Sequence, residues 1–284
     1  MNAESLALVA SFCTALSTVL ATKGMRDSNA DSANLVLTGV QTAVLTALLI
    51  SDMPPLDMRA LMWFALSGVC ASFVGRLLTL QSYKLMGVAV SSAIVGTSPL
   101  LVTLFAILFL GEPLLFPVVA GSALVVAGIA LMNMRGGRLS LKANSIHLAA
   151  GASLMFAASN IFRKLGTDIS PYAVLGAQSS TLFGFAAFMV YMVAKGGFRG
   201  LNVNRGNFWW LAGSGAVNAV AWIALTMSIA AGRVSVMTSI VYSYPLFSVL
   251  LARLMLRDTE TLTRRVVAGC VLIVLGVVLV SLLG

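Results

Sequence analysis

Charge is scarce in this sequence. Charged residues make up 10% of the 284 residues, and only nine residues are acidic. A soluble domain carries about 25% charged residues, so this chain could not cover its own surface in water. Metal ligands are scarce too, because the single histidine, His147, has no candidate partners and Cys13, Cys70 and Cys270 show no pairing pattern. We expect no metal and no cofactor.

Apolar residues dominate what remains, at 59% of the chain with a mean hydropathy of +0.99. A helix needs about 20 apolar residues to cross a bilayer, and strands of a barrel would alternate apolar and polar residues, which these segments do not. We therefore expect an all-α integral membrane protein with ten transmembrane helices. Ten charge-free intervals mark them: 5–22, 32–51, 60–75, 85–111, 113–134, 143–162, 169–194, 206–232, 234–252 and 266–284.

The two halves of the chain follow the same pattern, about 146 residues apart. Five helices per half is an odd number, so equivalent halves must enter the membrane in opposite orientations, as in many secondary transporters. We expect one compact membrane domain built from two inverted repeats, residues 1–140 and 141–284. The first copy reads Ser98-Pro99-Leu100, Gly111-Glu112 and Val118-Val119-Ala120-Gly121, and the second reads Tyr244-Pro245-Leu246, Arg257-Asp258 and Val266-Val267-Ala268-Gly269.

Cations are concentrated on one side of the expected membrane. Loops after spans one, three, five, seven and nine carry thirteen lysines and arginines, against four on the other side (Arg59, Arg163, Lys164 and Arg233). Lysine and arginine are enriched in cytoplasmic loops, so the count places both termini outside the cell. We expect the net charge of +9 to set this orientation and to contact anionic headgroups, not nucleic acid.

The repeated motifs resemble those of a known family. Pro99, the Gly111-Glu112 pair and the glycine-spaced fifth helix are similar to the EamA-type exporters of the drug/metabolite transporter superfamily, and the size and pattern are similar to the YddG-type amino-acid exporters. The second half departs from the family pattern at Arg257-Asp258 and at Thr259. The resemblance implies a central cavity lined by helices three, four, eight and nine, and termini in the cytoplasm, opposite to the charge count.

Polar side chains within the spans are the candidate functional residues, because in lipid they would lack hydrogen-bond partners. Gln41 and Gln178 hold equivalent places in the two repeats, and hydrogen bonding between helices is the alternative role for them. Pro99 and Pro245 should kink spans four and nine, either as part of a gate or as static bends. The candidate substrate-binding residues are Arg76, Gln41, Thr79, Gln81, Asn160, Gln178, Asn218, Trp222, Tyr242 and Tyr244.

Arg76 is the most informative of these candidates. It lies 17 residues past Arg59, about 25 Å along a helix, and an arginine at the centre of a span costs at least ~2.5–3.5 kcal/mol. One interpretation is that Arg76 lines the cavity and binds a substrate carboxylate through its planar fork, with Trp222 at the repeat-equivalent position as an apolar wall. The alternative is that it extends toward the membrane surface near Lys84.

No acidic residue of the sequence falls within a span. Cation exporters and proton-coupled carriers usually keep an intramembrane carboxylate, so a cationic-drug antiporter is disfavoured. The favoured function is a secondary transporter that exports small metabolites by alternating access, with amino acids, neutral and aromatic ones included, as the preferred substrates. A multidrug or other metabolite exporter of the same fold is the alternative.

A membrane-embedded, lipid-modifying enzyme is the rival class. It would need clustered nucleophiles, bases or metal ligands within the spans, and the sequence shows none, so we expect no enzyme. The expected partners are a small-molecule substrate and the lipid bilayer, and the expected location is the bacterial inner membrane, crossed many times. The oligomeric state is left open, with a monomer among the options.

Overall fold

The structure, a computed structural model, describes residues 2–25, 28–51, 53–86, 88–133, 146–198, 200–255 and 264–283. Arg257, Asp258 and the expected boundary between the repeats at residue 140 lie outside these residues. A π-helical segment, Val69–Gly75, joins α3 to α4. The described helices are α1 (Ala3–Gly24), α2 (Ala30–Ser51), α3 (Met58–Gly68), α4 (Arg76–Met86), α5 (Val88–Val95), α6 (Ser98–Leu110), α7 (Phe116–Asn133), α8 (Ile146–Ile169), α9 (Ala173–Ala194), α10 (Arg205–Ala231), α11 (Val234–Val241), α12 (Tyr244–Met255) and α13 (Arg264–Leu283).

These helices form the all-α membrane fold that the sequence predicts. Within the described residues, seven helical stretches are long and apolar enough to cross a membrane, one of them formed by α3 with the following segment and one by α11 with α12. The other three expected spans are α5 with α6, the 18-residue α7 and the 24-residue α8. Arg163, Lys164 and Asp168 lower the hydropathy of α8. The fold agrees with ten spans.

Spans four and nine are each interrupted near the middle. In span four, α5 ends at Val95 and α6 begins at Ser98, while in span nine α11 ends at Val241 and α12 begins at Tyr244. In both repeats a proline, Pro99 or Pro245, is the second residue of the following helix, where its missing N–H costs little. The sequence predicts a kink at these sites, and the structure contains a complete break between two short helices.

Helices α7 and α13 pack backbone to backbone through glycines. A Cβ added to Gly276 would lie 2.6 Å from the Gly121 carbonyl oxygen, and one added to Gly128 would lie 2.6 Å from the Gly269 carbonyl oxygen. Exchanging the two halves maps Gly121 onto Gly269 and Gly128 onto Gly276, so each contact becomes the other. Because the contact runs antiparallel, the two-fold axis lies across the helices, as inverted repeats require.

The bundle has two ends, which we call the terminal face and the basic face. At the terminal face, α1 begins at Ala3 and α11 begins at Val234. At the basic face, α1 ends, α2 begins, and Lys195 Nζ lies 3.3 Å from Asp31 Oδ2. That hydrogen bond raises the pKa of Lys195, which stays charged. Ser28 and Asn29 also donate to carbonyl oxygens of Asn202 and Gly200 at this face.

A single carboxylate joins the two repeats at the terminal face. Glu112, just after α6, accepts from the Val234 N–H at 2.6 Å and the Ser235 N–H at 3.3 Å, and also from the Ser235 hydroxyl. These amides begin α11 and would have no partner within the helix. Negative charge is favourable at a helix N-terminus, so the Glu112 of the sequence motif caps a helix of the other half.

Apolar packing fills the terminal half of the bundle. The largest buried cluster among the described residues takes members from the terminal-face portions of α1, α6, α7, α8, α10 and α13 and from the whole of α11. Its members include Ala7, Val102, Ile161, Ala224, Met237 and Val280. The protein is therefore tightly packed toward the terminal face, and its open space lies toward the basic face.

We expect Gly276→Ala to destabilise the protein, because its methyl group would overlap the Gly121 backbone. Overpacking of this kind costs about 1–3 kcal/mol, which should lower the melting temperature in detergent and the yield of folded protein. Gly213→Ala is the matched control, since a Cβ there meets nothing within 4 Å. Equal melting temperatures for the two variants would contradict the close contact of α7 with α13.

Glu112→Ala should also destabilise the protein, by about 1–3 kcal/mol, because it leaves the first amides of α11 without an acceptor. Glu112→Gln, which keeps one acceptor oxygen, should give an intermediate melting temperature. Glu4→Ala serves as the control, because it removes a carboxylate at the same face, from the first turn of α1, without removing the acceptor of the α11 amides. A Glu112→Ala protein as stable as the Glu4→Ala protein would show that the cap contributes nothing.

Candidate functional site

A cavity of about 400 Å³ lies at the centre of the bundle. It reaches the basic face at Met25 and Ala30 and extends inward to Arg163, Leu225 and Thr238. Its walls come from α1, α2, the segment from Val69 to α4, α8 and α10, together with the broken ends of spans four and nine. Helices α7 and α13 contribute no described residue to it, which agrees with a structural role for their glycines.

Seven of the ten candidate residues come together around this cavity: Arg76, Thr79, Asn160, Asn218, Trp222, Tyr242 and Tyr244. They come from both halves of the chain. The other three candidates, Gln41, Gln81 and Gln178, do not line it. Gln81 is exposed on α4, whereas the other two glutamines are buried between helices.

Gln41 and Gln178 make hydrogen bonds that join helices. Gln41 Nε2 donates to Thr181 Oγ1 of α9 at 3.3 Å, and Gln41 Oε1 accepts from Asn218 Nδ2 of α10 at 2.8 Å. Gln178 Nε2 donates to Thr46 Oγ1 of α2 at 3.2 Å. Both contacts fit the alternative interpretation that these amides hold helices together. Gln41 also contributes to the cavity indirectly, because it orients the amide of Asn218, which lines the cavity.

Arg76 faces the cavity from the first residue of α4, directly after the π-helical segment. Segments of π-helix shift the register of side chains and often occur at functional sites. Arg76 Nη1 donates to Asn34 Oδ1 at 2.5 Å and is 3.4 Å from Thr38 Oγ1, both on α2. These two α2 side chains therefore orient the Arg76 guanidinium at the cavity wall.

A second arginine, which the sequence analysis counted as a loop residue, also lines the cavity. Arg163 lies within α8 and is 1% exposed. Its guanidinium carbon is 4.3 Å from the centre of the Trp222 ring, and Nη1 donates to Thr226 Oγ1 at 2.8 Å. Charges served as span boundaries in the sequence, so an arginine inside a helix was placed beyond its end. Its position three residues after Asn160, on the same helix face, was the usable signal.

Asn34 was missed as well, although α2 has a clear pattern. Asn34, Thr38 and Gln41 follow i, i+4, i+7 spacing, which places them on one face of a helix, and all three are buried. Asn34 orients Arg76, and Gln41 orients Asn218. This polar stripe is the hydrogen-bonding support of the cavity.

The charged side chains in the described lining of the cavity are all positive. Of the described residues that line it, two are arginines and none is an aspartate or glutamate. The ion pairs seen in the described part of the chain, Lys164 with Asp168 and Lys195 with Asp31, lie at helix ends. No group of three or more His, Cys, Asp or Glu side chains that could hold a metal ion occurs within the described ranges. The site can bind an anion by charge and hydrogen bonding.

A helical membrane bundle around a cavity that opens at one face and carries polar side chains on a largely apolar wall is an architecture suited to a multi-pass transporter. The model of the EamA-like transporter family matches residues 1–134 and again residues 144–282. The chain belongs to the EamA-like transporter family and is a membrane transporter of the drug/metabolite transporter type.

Structure comparison gives the same fold. A solved crystal structure of a protein aligns over 99% of this chain and 99% of its own chain, with a TM-score of 0.82 and 19% sequence identity. At that identity the likeness shows the fold alone. A search of curated proteins gives no sequence match.

We expect Thr22→Cys, in a protein whose native cysteines are replaced by alanine, to react with a membrane-impermeant maleimide. Thr22 lines the cavity near the basic face, and thiols need water to form the reactive thiolate. Leu104→Cys is the control, because Leu104 is 48% exposed on α6 yet lies outside the cavity. Labelling of both positions at the same rate would contradict an aqueous cavity bounded by lipid-facing helices.

Proposed function

We propose that this protein exports amino acids by alternating access, with Arg76 as the ligand of the substrate carboxylate. The observation that carries the proposal is a cationic cavity whose described lining contains no carboxylate. A guanidinium can hold a carboxylate through two parallel hydrogen bonds. Within the superfamily, this substrate class corresponds to the YddG-type amino-acid exporters that the sequence resembles.

The same cavity offers acceptors for an ammonium group. Asn160 Nδ2 donates to the Phe156 carbonyl at 2.9 Å, and Asn218 Nδ2 donates to Gln41 at 2.8 Å. Each bond orients the amide so that its Nδ2 atom points to a protein acceptor. No described residue donates a hydrogen bond to the Oδ1 atom of either asparagine. These two carbonyl oxygens, together with the Arg76 guanidinium, form a mixed site that matches a zwitterion.

The breaks in spans four and nine supply the moving parts. Val95, Tyr242 and Tyr244 border the cavity at the points where these helices are interrupted. Short helices that end at a binding site can tilt separately from their continuations. Opening to the terminal face would require α11 to leave the apolar cluster and to separate from Glu112, while the basic face closes around Met25 and Ala30.

The charge distribution supports an orientation with the basic face in the cytoplasm of a bacterial inner membrane. Arg163 is buried in the cavity wall, so it no longer counts among the loop cations of the terminal face. That face then carries three lysines and arginines, against thirteen at the basic face. In that orientation both termini are outside and the structure is open to the cytoplasm. Thr22→Cys should then be labelled in inverted vesicles and protected in intact cells.

Arg76→Ala should lower amino-acid counterflow in proteoliposomes by at least about tenfold, because a charge-assisted hydrogen bond is worth about 1.5–3 kcal/mol. Arg76→Lys should restore transport only in part, since lysine cannot reproduce the planar fork. Arg59→Ala, at the exposed beginning of α3, is the matched control and should transport normally. Wild-type rates in a folded Arg76→Ala protein would refute the proposed role of Arg76.

A further inference from the structure

Arg163 is a buried cation whose hydrogen-bond donors are only partly paired with described residues. Its only hydrogen bond to a described residue runs from Nη1 to Thr226, and its buried Nε has no partner among the described residues. Trp222 covers one face of the guanidinium, and a cation over an aromatic face is attracted by the ring. No described acidic side chain pairs with it, because Asp168 pairs with Lys164.

A purely structural arginine would be satisfied more completely. Buried polar groups are hydrogen-bonded in nearly all cases, and an exception calls for an explanation. The Thr226 contact uses one terminal nitrogen, Nη1. The guanidinium edge formed by Nε and the other terminal nitrogen stays available for a ligand. That edge is the one that a carboxylate can hold with two parallel hydrogen bonds, and Arg163 lines the cavity.

The two arginines lie at different depths of the same cavity. Arg76 stands on α4, in the half of that span nearer the basic face, whereas Arg163 lies in the half of α8 nearer the terminal face. They come from different repeats, and each is oriented by its own neutral partners, Asn34 for Arg76 and Thr226 for Arg163. The cavity therefore holds two separate cationic positions, with Asn160 and Asn218 also on its wall.

We infer that the cavity selects substrates with two acid groups, and that the physiological substrate class is acidic amino acids. This inference rests on the proposed function and adds Arg163 as the ligand of the second acid group. The α-carboxylate binds Arg76, the ammonium group binds the Oδ1 atoms of Asn160 and Asn218, and the side-chain carboxylate binds Arg163 beside Trp222. A neutral amino acid would leave the buried Arg163 guanidinium without a counter-charge, whereas an acidic one supplies it.

The test compares glutamate with glutamine, two substrates of the same shape that differ by one charge. Purified wild-type protein in proteoliposomes should take up labelled glutamate at least about tenfold more efficiently than glutamine, since one charge-assisted contact separates them. Arg163→Gln should lower glutamate uptake about 10- to 100-fold and bring the ratio of glutamate to glutamine uptake close to one. Lys164→Gln, the adjacent residue with the same loss of charge, should keep the wild-type ratio.

The possible results separate this inference from the proposed function. Equal uptake of glutamate and glutamine by the wild-type protein would overturn the inference while amino-acid export stands. Uptake of glutarate, a diacid without an ammonium group, but of neither amino acid would support two acid-binding positions and overturn amino-acid export. If Arg163→Gln does not fold, the wild-type ratio decides, supported by thermal stabilisation of the wild-type protein by glutamate but not by glutamine. A folded Arg163→Gln protein with the wild-type ratio would show that Arg163 is structural.

Discussion

The structure depends on one constraint, that a polar group inside a bilayer must find its partner within the protein or in enclosed water. Amide, hydroxyl and guanidinium groups in the spans are therefore collected toward the centre of the bundle. There Asn34 accepts a hydrogen bond from Arg76, and Gln41 accepts one from Asn218 and donates one to Thr181. Irregular backbone follows the same rule. The breaks at residues 96–97 and 242–243 occur next to the cavity, where freed carbonyl groups can reach water.

The same constraint explains how closely the two repeats interact. Glycines let α7 and α13 approach until backbone meets backbone, which removes any gap that lipid or water could enter. The Glu112 carboxylate satisfies amides of α11 that belong to the other half. Neither half could keep these contacts alone, so the two repeats form one unit despite their separate matches to the family model.

Much of this architecture could be predicted from the sequence, because periodic and repeated features report on helices directly. The repeated glycine and proline motifs indicated the duplication, and the odd number of spans in each half indicated the inversion. The two prolines also marked where spans four and nine are interrupted. Whether each span bends or is fully interrupted could not be predicted. A proline in the first turn of a new helix and a proline that kinks a continuous helix look the same in sequence.

The site was predicted less completely, for a physical reason. A charged residue marks the end of a span only when it meets water there, and Arg163 meets an aromatic ring and a hydroxyl instead. Gln41 and Gln178 show the opposite problem, because an amide looks the same in sequence whether it binds a substrate or a neighbouring helix. Sequence can place a polar residue on a helix face, but its partner comes from another helix and is set by packing.

The positive charge that two arginines bring to the described lining of the cavity also bears on the energy source of the proposed transport. In the proposed alternating-access cycle the arginines return to their starting positions, so the protein's own charges contribute no net movement of charge across the membrane. A cargo with one net negative charge that leaves a cytoplasm held negative gains about 2.3 kcal/mol per 100 mV. For the proposed export of acidic amino acids, the membrane voltage would therefore be a sufficient driving force without an intramembrane carboxylate that couples transport to protons.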